Sequence, residues 1–161
     1  MSSGAQHNPP GAAMLHPIAW SALVLLLLND HYLKQTFGNA LTGKLSDVAG
    51  LIVFPLFVVG VCEWLDSRRA SDARPLAGAW PFWLTGVVFA AMQLLTPAAE
   101  GFRYGLGLLQ WPYYCAKALL LAAPWPPIRP VAHTADPTDL FALPALGVAY
   151  WVWRRSRIKA A

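Results

Sequence analysis

The sequence predicts an all-α fold: an integral membrane bundle of four transmembrane helices plus one interfacial or re-entrant helix. Three observations carry this. Hydrophobic residues make up 57% of the 161-residue chain. Charged residues make up 12%, against about 25% in an ordinary soluble domain. Four apolar segments, uncharged through their middles, match or approach the roughly 20 residues that cross a hydrocarbon core. The whole chain, 1–161, is read as one integral membrane domain.

The first span runs over about 12–33, around the leucine run Leu25–Leu28. Its leader, Met1–His16, lacks Lys and Arg, so the segment is read as a retained helix rather than a cleaved signal. The second span covers about 48–65, the third 78–95 and the fourth 138–153. Lipid offers backbone amides no partner, so each is expected to be helical. Pro55 and Pro144 are expected to kink the second and fourth helices. The segment 104–123 is also apolar, but it carries Gln110, Pro112 and Lys117 and is crowded with Trp111, Tyr113 and Tyr114. Those aromatics favour the membrane–water boundary, so this segment is read as interfacial or re-entrant. The proline-rich stretch Pro124–Pro130 then acts as a stiff, non-helical connector.

Charge sets the orientation. Four spans put the chain start, the second-to-third loop and the C-terminal tail on one side, together with Arg68, Arg69, Arg74, Arg154, Arg155, Arg157 and Lys159. Against Glu63, Asp66 and Asp72, that side holds the whole net charge of +4. The other side balances Lys34, Lys44, Arg103, Lys117 and Arg129 against Asp30, Asp47, Glu100, Asp136 and Asp139. The positive-inside bias makes both termini cytoplasmic. No block of like charge suggests a nucleic-acid surface.

The balanced side collects the chemistry-bearing residues. Asn29-Asp30-His31 and Lys34 end the first span, and Thr42–Asp47 leads into the second. The third ends with Gln93 and Thr96, followed by Glu100, while His133, Asp136 and Asp139 open the fourth. Ionisable groups near hydrocarbon are costly unless paired or wetted, so they mark a candidate site. Simpler roles exist for several. Asp30 and Lys34 have ion-pair spacing, Ser46 or Asp47 is placed to cap the second helix, and Asp136-Pro137 reads as an N-cap and first helical residue.

Other motifs yield no chemistry. Gly38–Lys44 has phosphate-loop spacing, but Leu45 stands where Ser or Thr is needed, and both neighbours are membrane segments. Cys62 and Cys115 are read as small buried hydrophobes. No hydrolase or zincin signature is present. Gly86–Ala90 and Ala145–Ala149 carry small-xxx-small spacing, which serves close helix packing and offers a face for a homo-oligomer.

The combination Asn29-Asp30 with Leu33-Lys34, Thr42-Gly43-Lys44-Leu45-Ser46-Asp47 through Leu51, and Asp136-Pro137-Thr138-Asp139-Leu140 resembles a group of uncharacterised small bacterial multi-pass membrane proteins. That resemblance implies a bacterial inner-membrane location and no particular activity.

Two functions follow as expectations. In the first, the protein is non-catalytic: its polar residues fix the bundle or bind a lipid head group or partner protein, with Lys34, Lys44 and Arg103 on phosphate and Asp136 beside them. In the second it is an interfacial enzyme on a phosphate-bearing, lipid-linked substrate. Asp30, His31, Asp47, His133 and Asp139 would then supply acid–base groups or ligands for a divalent cation. A transporter is the weakest reading, given four spans and no internal repeat. The residues name no cofactor.

Overall fold

A computed structural model describes residues 8–37, 40–70 and 73–158. Lys159, Asp72 and the Gly38-Asn39 pair of the near-miss loop lie outside the described residues. Five helices carry the fold: α1 (Pro17–Leu28), α2 (Ala40–Asp66), α3 (Trp80–Leu94), α4 (Thr96–Leu120) and α5 (Pro144–Ile158). Among the described residues there is no strand. Residue contacts divide the chain into two compact units, Met1–Val87 with Phe141–Ala161, and Val88–Leu140.

In the first unit a 3-10 turn (Ala12–Leu15) leads to α1. His16 caps this helix by accepting the Ile18 amide at Nδ1, and Pro17 takes the first helical position, where a missing N–H costs nothing. α1 packs on α2, and α2 on α5. Small residues line much of the interior: Ala19 and Ala22 of α1, Ala49 of α2, Ala145 and Ala149 of α5. On α2 the buried positions Ala49, Ile52, Leu56 and Val59 recur at three- and four-residue steps, the spacing of one helical face. Large side chains point the other way, with Trp20, Leu27, Phe54, Phe57, Trp83 and Trp151 all exposed. A methyl at Gly86 would sit 2.9 Å from Leu146 Cδ1, so the glycine lets α3 lie against α5, where Phe82 stacks on Tyr150 and Trp153.

The second unit holds the end of α3, all of α4 and the connector. α3 stops at Leu94, extended Leu95 breaks the path, and the chain bends by 112° into α4. The interfacial segment expected over 104–123 therefore starts earlier, at Thr96, and Pro112 does not interrupt it. At its C-terminus the Ala123 amide reaches back to Ala118 O at 2.8 Å. This closure puts Ala122 at φ 47°, the one positive φ among described non-glycine residues. The proline stretch after it is non-helical, as expected.

Several boundaries differ from expectation. The second helix begins at Ala40, so Ser46 and Asp47 sit inside its opening turns and neither caps it. The fourth span is divided: Pro137–Ala142 is 3-10, and Pro144 begins α5 instead of kinking it. Among the described residues α2 is the one helix long and apolar enough by itself to cross a membrane, and α3 with α4 passes only as a bent pair.

Candidate functional site

The helical path of α1 continues past Leu28 through a π turn, Asn29–Leu33, and on to Thr36. The Lys34 amide closes the wide turn on Asn29 O. More residues per turn means less rotation from one side chain to the next, so Asn29 and Asp30 both reach α2. Asn29 is 0% exposed. Its Nδ2 donates to Thr42 O at 2.7 Å and to Ser46 Oγ at 2.6 Å. Ser46 Oγ in turn donates to Asp30 Oδ1 at 2.7 Å, and Lys34 Nζ lies 2.9 Å from the same oxygen. A relay thus runs from buried amide to hydroxyl to carboxylate to ammonium. Among the described residues Asn29 Oδ1 has no partner. Such an orphan carbonyl costs about 1–3 kcal/mol, and π turns of this kind concentrate at functional sites.

Around the relay, His31 is exposed on the π turn, while Lys44 and Asp47 are half-buried on the opening turns of α2. The structure thus joins Asp30 to Lys34 directly and ties both to Ser46. The described part of the phosphate-loop near-miss, Ala40 to Lys44, is helical.

In the second unit the polar centre is Gln93, buried near the end of α3. Its Oε1 accepts the Asp136 amide at 3.0 Å, and its Nε2 donates to Asp139 Oδ2 at 3.4 Å. Asp136 Oδ1 accepts the Thr138 amide at 2.8 Å in the manner of an N-cap, here on a 3-10 helix. His133 presents its ring to Phe102 at 5.5 Å, with Nε2 3.5 Å from Met92 O. Arg103 pairs with Glu100 at 2.6 Å and donates through Nε to Val131 O at 3.1 Å. Trp111 Nε1 donates to Pro126 O, and Gly107 leaves room for the Arg129 carbonyl, which would lie 2.2 Å from an added Cβ. The connector is therefore strapped along α4 by Arg103, a phosphate candidate in the sequence, and by Trp111 and Gly107, which are not candidates there. Among the described residues no three His, Cys, Asp or Glu side chains converge as metal ligands. Cys62 and Cys115 are free and buried.

Sequence reasoning overlooked the opposite end of α2. Glu63 accepts the Gly11 amide at Oε2 and the Trp153 indole at Oε1, both at 2.9 Å, tying the chain start, α2 and α5 together. Asp66 accepts the Leu76 and Ala77 amides, each at 2.8 Å. Four arginines here stack on an aromatic ring one turn earlier: Arg68 on Trp64, Arg154 on Tyr150, Arg155 on Trp151 and Arg157 on Trp153. The repeated i, i+4 aromatic–arginine spacing was the signal that could have found them.

No family model, curated protein or solved structure matches this chain.

Proposed function

We propose that the chain is a non-catalytic, multi-pass protein of the bacterial inner membrane, with four spans and both termini cytoplasmic. Its polar Asp, Lys and His residues at the exoplasmic boundary fix the helices and present Lys34 and Lys44 to lipid head groups. The observation that carries this is the side-chain distribution: alanines and Asn29 fill much of the interior beside a few large residues such as Leu56, while many leucines and aromatics, among them Trp20, Leu27, Phe54, Phe57, Trp83 and Trp151, face outward. Water would penalise that arrangement, whereas lipid favours small residues between helices and large apolar ones around them. α2 adds a length. Its polar anchors Ser46 and Glu63 lie about 26 Å apart at 1.5 Å per residue, close to the thickness of a hydrocarbon core. Gly11, Glu63 and Trp153 meet at one end of the first unit, where the arginines gather, which supports the cytoplasmic assignment of that end. The motif resemblance supports the bacterial inner membrane. Asp30 and Asp139 each accept a bond that links two elements, and Asp136 accepts one within its own turn, which favours the non-catalytic reading over the enzyme.

Alkaline carbonate extraction tests the first part: the chain stays in the membrane pellet. A reporter fused after Ala161 reads as cytoplasmic, and an exoplasmic readout would overturn the four-span arrangement. Alanine at Lys44, Asp47 and Asp139 tests the role. Reduced folded yield in detergent supports a structural cluster, whereas normal yield with a lost phenotype would favour the enzyme.

A further inference from the structure

We propose that the arginine-rich end of the first unit holds one anionic glycerophospholipid, with its phosphate on Arg68 and an acyl chain in the groove below Trp64. The inference rests on the membrane reading above. The groove has a volume of about 210 Å³ and is lined by Gly11, Met14, Phe57, Gly60, Val61 and Trp64. Its lining is apolar, and it follows one face of α2, since Phe57, Val61 and Trp64 recur at helical spacing. Its floor is low because two glycines meet there: a Cβ on Gly60 would stand 3.2 Å from Gly11 Cα. Gly11 turns away with φ +77°, a conformation glycine adopts freely.

Arg68 follows Trp64 by one turn, its guanidinium carbon 5.0 Å from the ring centroid. This cation–π contact uses none of the guanidinium N–H groups in a carboxylate pair, and those groups suit bidentate contact with a phosphate. The ring also fixes the side chain beforehand, which lowers the ordering cost of binding. The described acids nearest to Arg68 are engaged elsewhere. Both Glu63 oxygens are taken by Gly11 and Trp153, and the Asp66 oxygens by Leu76 and Ala77. Among the described residues Arg68 has no carboxylate in ion-pair contact. An apolar slot thus lies one helical turn from a guanidinium that no described carboxylate pairs, which is complementary to a fatty chain esterified next to an anionic phosphodiester.

The experiment is native mass spectrometry of the detergent-purified full chain with added phosphatidylglycerol or phosphatidylcholine. Wild type is expected to retain phosphatidylglycerol at least threefold better than phosphatidylcholine. Arg68→Gln should lose that preference, and Val61→Trp, which fills the groove from an exposed position, should lose retention of both lipids. Arg74→Gln, outside the groove, should behave as wild type. Equal retention by Arg68→Gln and wild type, or equal losses in Arg68→Gln and Arg74→Gln, would overturn the site. Carbonate extraction separates this from the underlying reading: a carbonate-resistant chain without lipid preference overturns the lipid site alone, and a carbonate-released chain overturns both.

Discussion

The indole Nε1 of Trp153 donates to Glu63 Oε1 at 2.9 Å, while the second carboxylate oxygen takes the Gly11 amide. Bonds to a charged partner contribute about 1.5–3 kcal/mol. Trp153→Phe, which keeps a ring face for Arg157, should therefore lower stability by about that amount. Glu63→Ala should cost more, because two donors lose their acceptor, and Glu63→Gln should fall between. Thermal unfolding in mild detergent measures the series, and unchanged stability of Trp153→Phe would show that the indole bond carries no weight.

Asn29 offers a sharper contrast. Replacing it with Leu removes the orphan Oδ1 and leaves Ser46 still donating to Asp30. It also strips the Nδ2 donor from Thr42 O and Ser46 Oγ, so the expected cost is about 1–3 kcal/mol. Asn29→Asp instead buries a carboxylate against Thr42 O with its donors gone, and should cost several kcal/mol. The same unfolding assay decides, and equal effects from the two variants would refute the buried-amide account.

Gly107→Ala forces a methyl to within 2.2 Å of the Arg129 carbonyl, so backbone must move. The expected cost is about 1–3 kcal/mol. Hydrogen exchange reads the local consequence: the Val131 amide, bonded to Arg103 O at 3.1 Å, should exchange faster. Gly101→Ala on the same helix meets nothing within 4 Å and should be neutral or stabilising. Unchanged protection at Val131 in Gly107→Ala would sink the strap.

Ala122 holds a left-handed conformation at φ 47° to close α4. A Cβ in that region costs about 1 kcal/mol, and glycine avoids it. Ala122→Gly is therefore expected to raise stability by roughly 0.5–1 kcal/mol, against the usual effect of introducing glycine. A lowered melting temperature would contradict this.

Helical content, the small-residue contact at Gly86 and the cap at Asp136 were legible in the sequence, since each depends on near neighbours or simple spacing. The π turn was not. One extra residue in a leucine-rich helix leaves its apolar pattern intact, and only the partners Thr42 and Ser46 reveal it. The start of α2 was hidden similarly: Thr42–Asp47 has the composition of a loop and cap, yet its packing against Asn29 makes it helical. Glu63 entered the sequence argument only as a charge, because both its partners lie far along the chain.

That distance sets an order of assembly. Glu63 is separated from Gly11 by 52 residues and from Trp153 by 90. During synthesis from the N-terminus, Gly11 is available as soon as α2 emerges, whereas Trp153 arrives after the whole second unit has been made. The carboxylate therefore passes through a half-satisfied interval, and its final bond forms as a late, non-local closure of the first unit. The same acid that anchors the finished fold also marks when its last helix has docked.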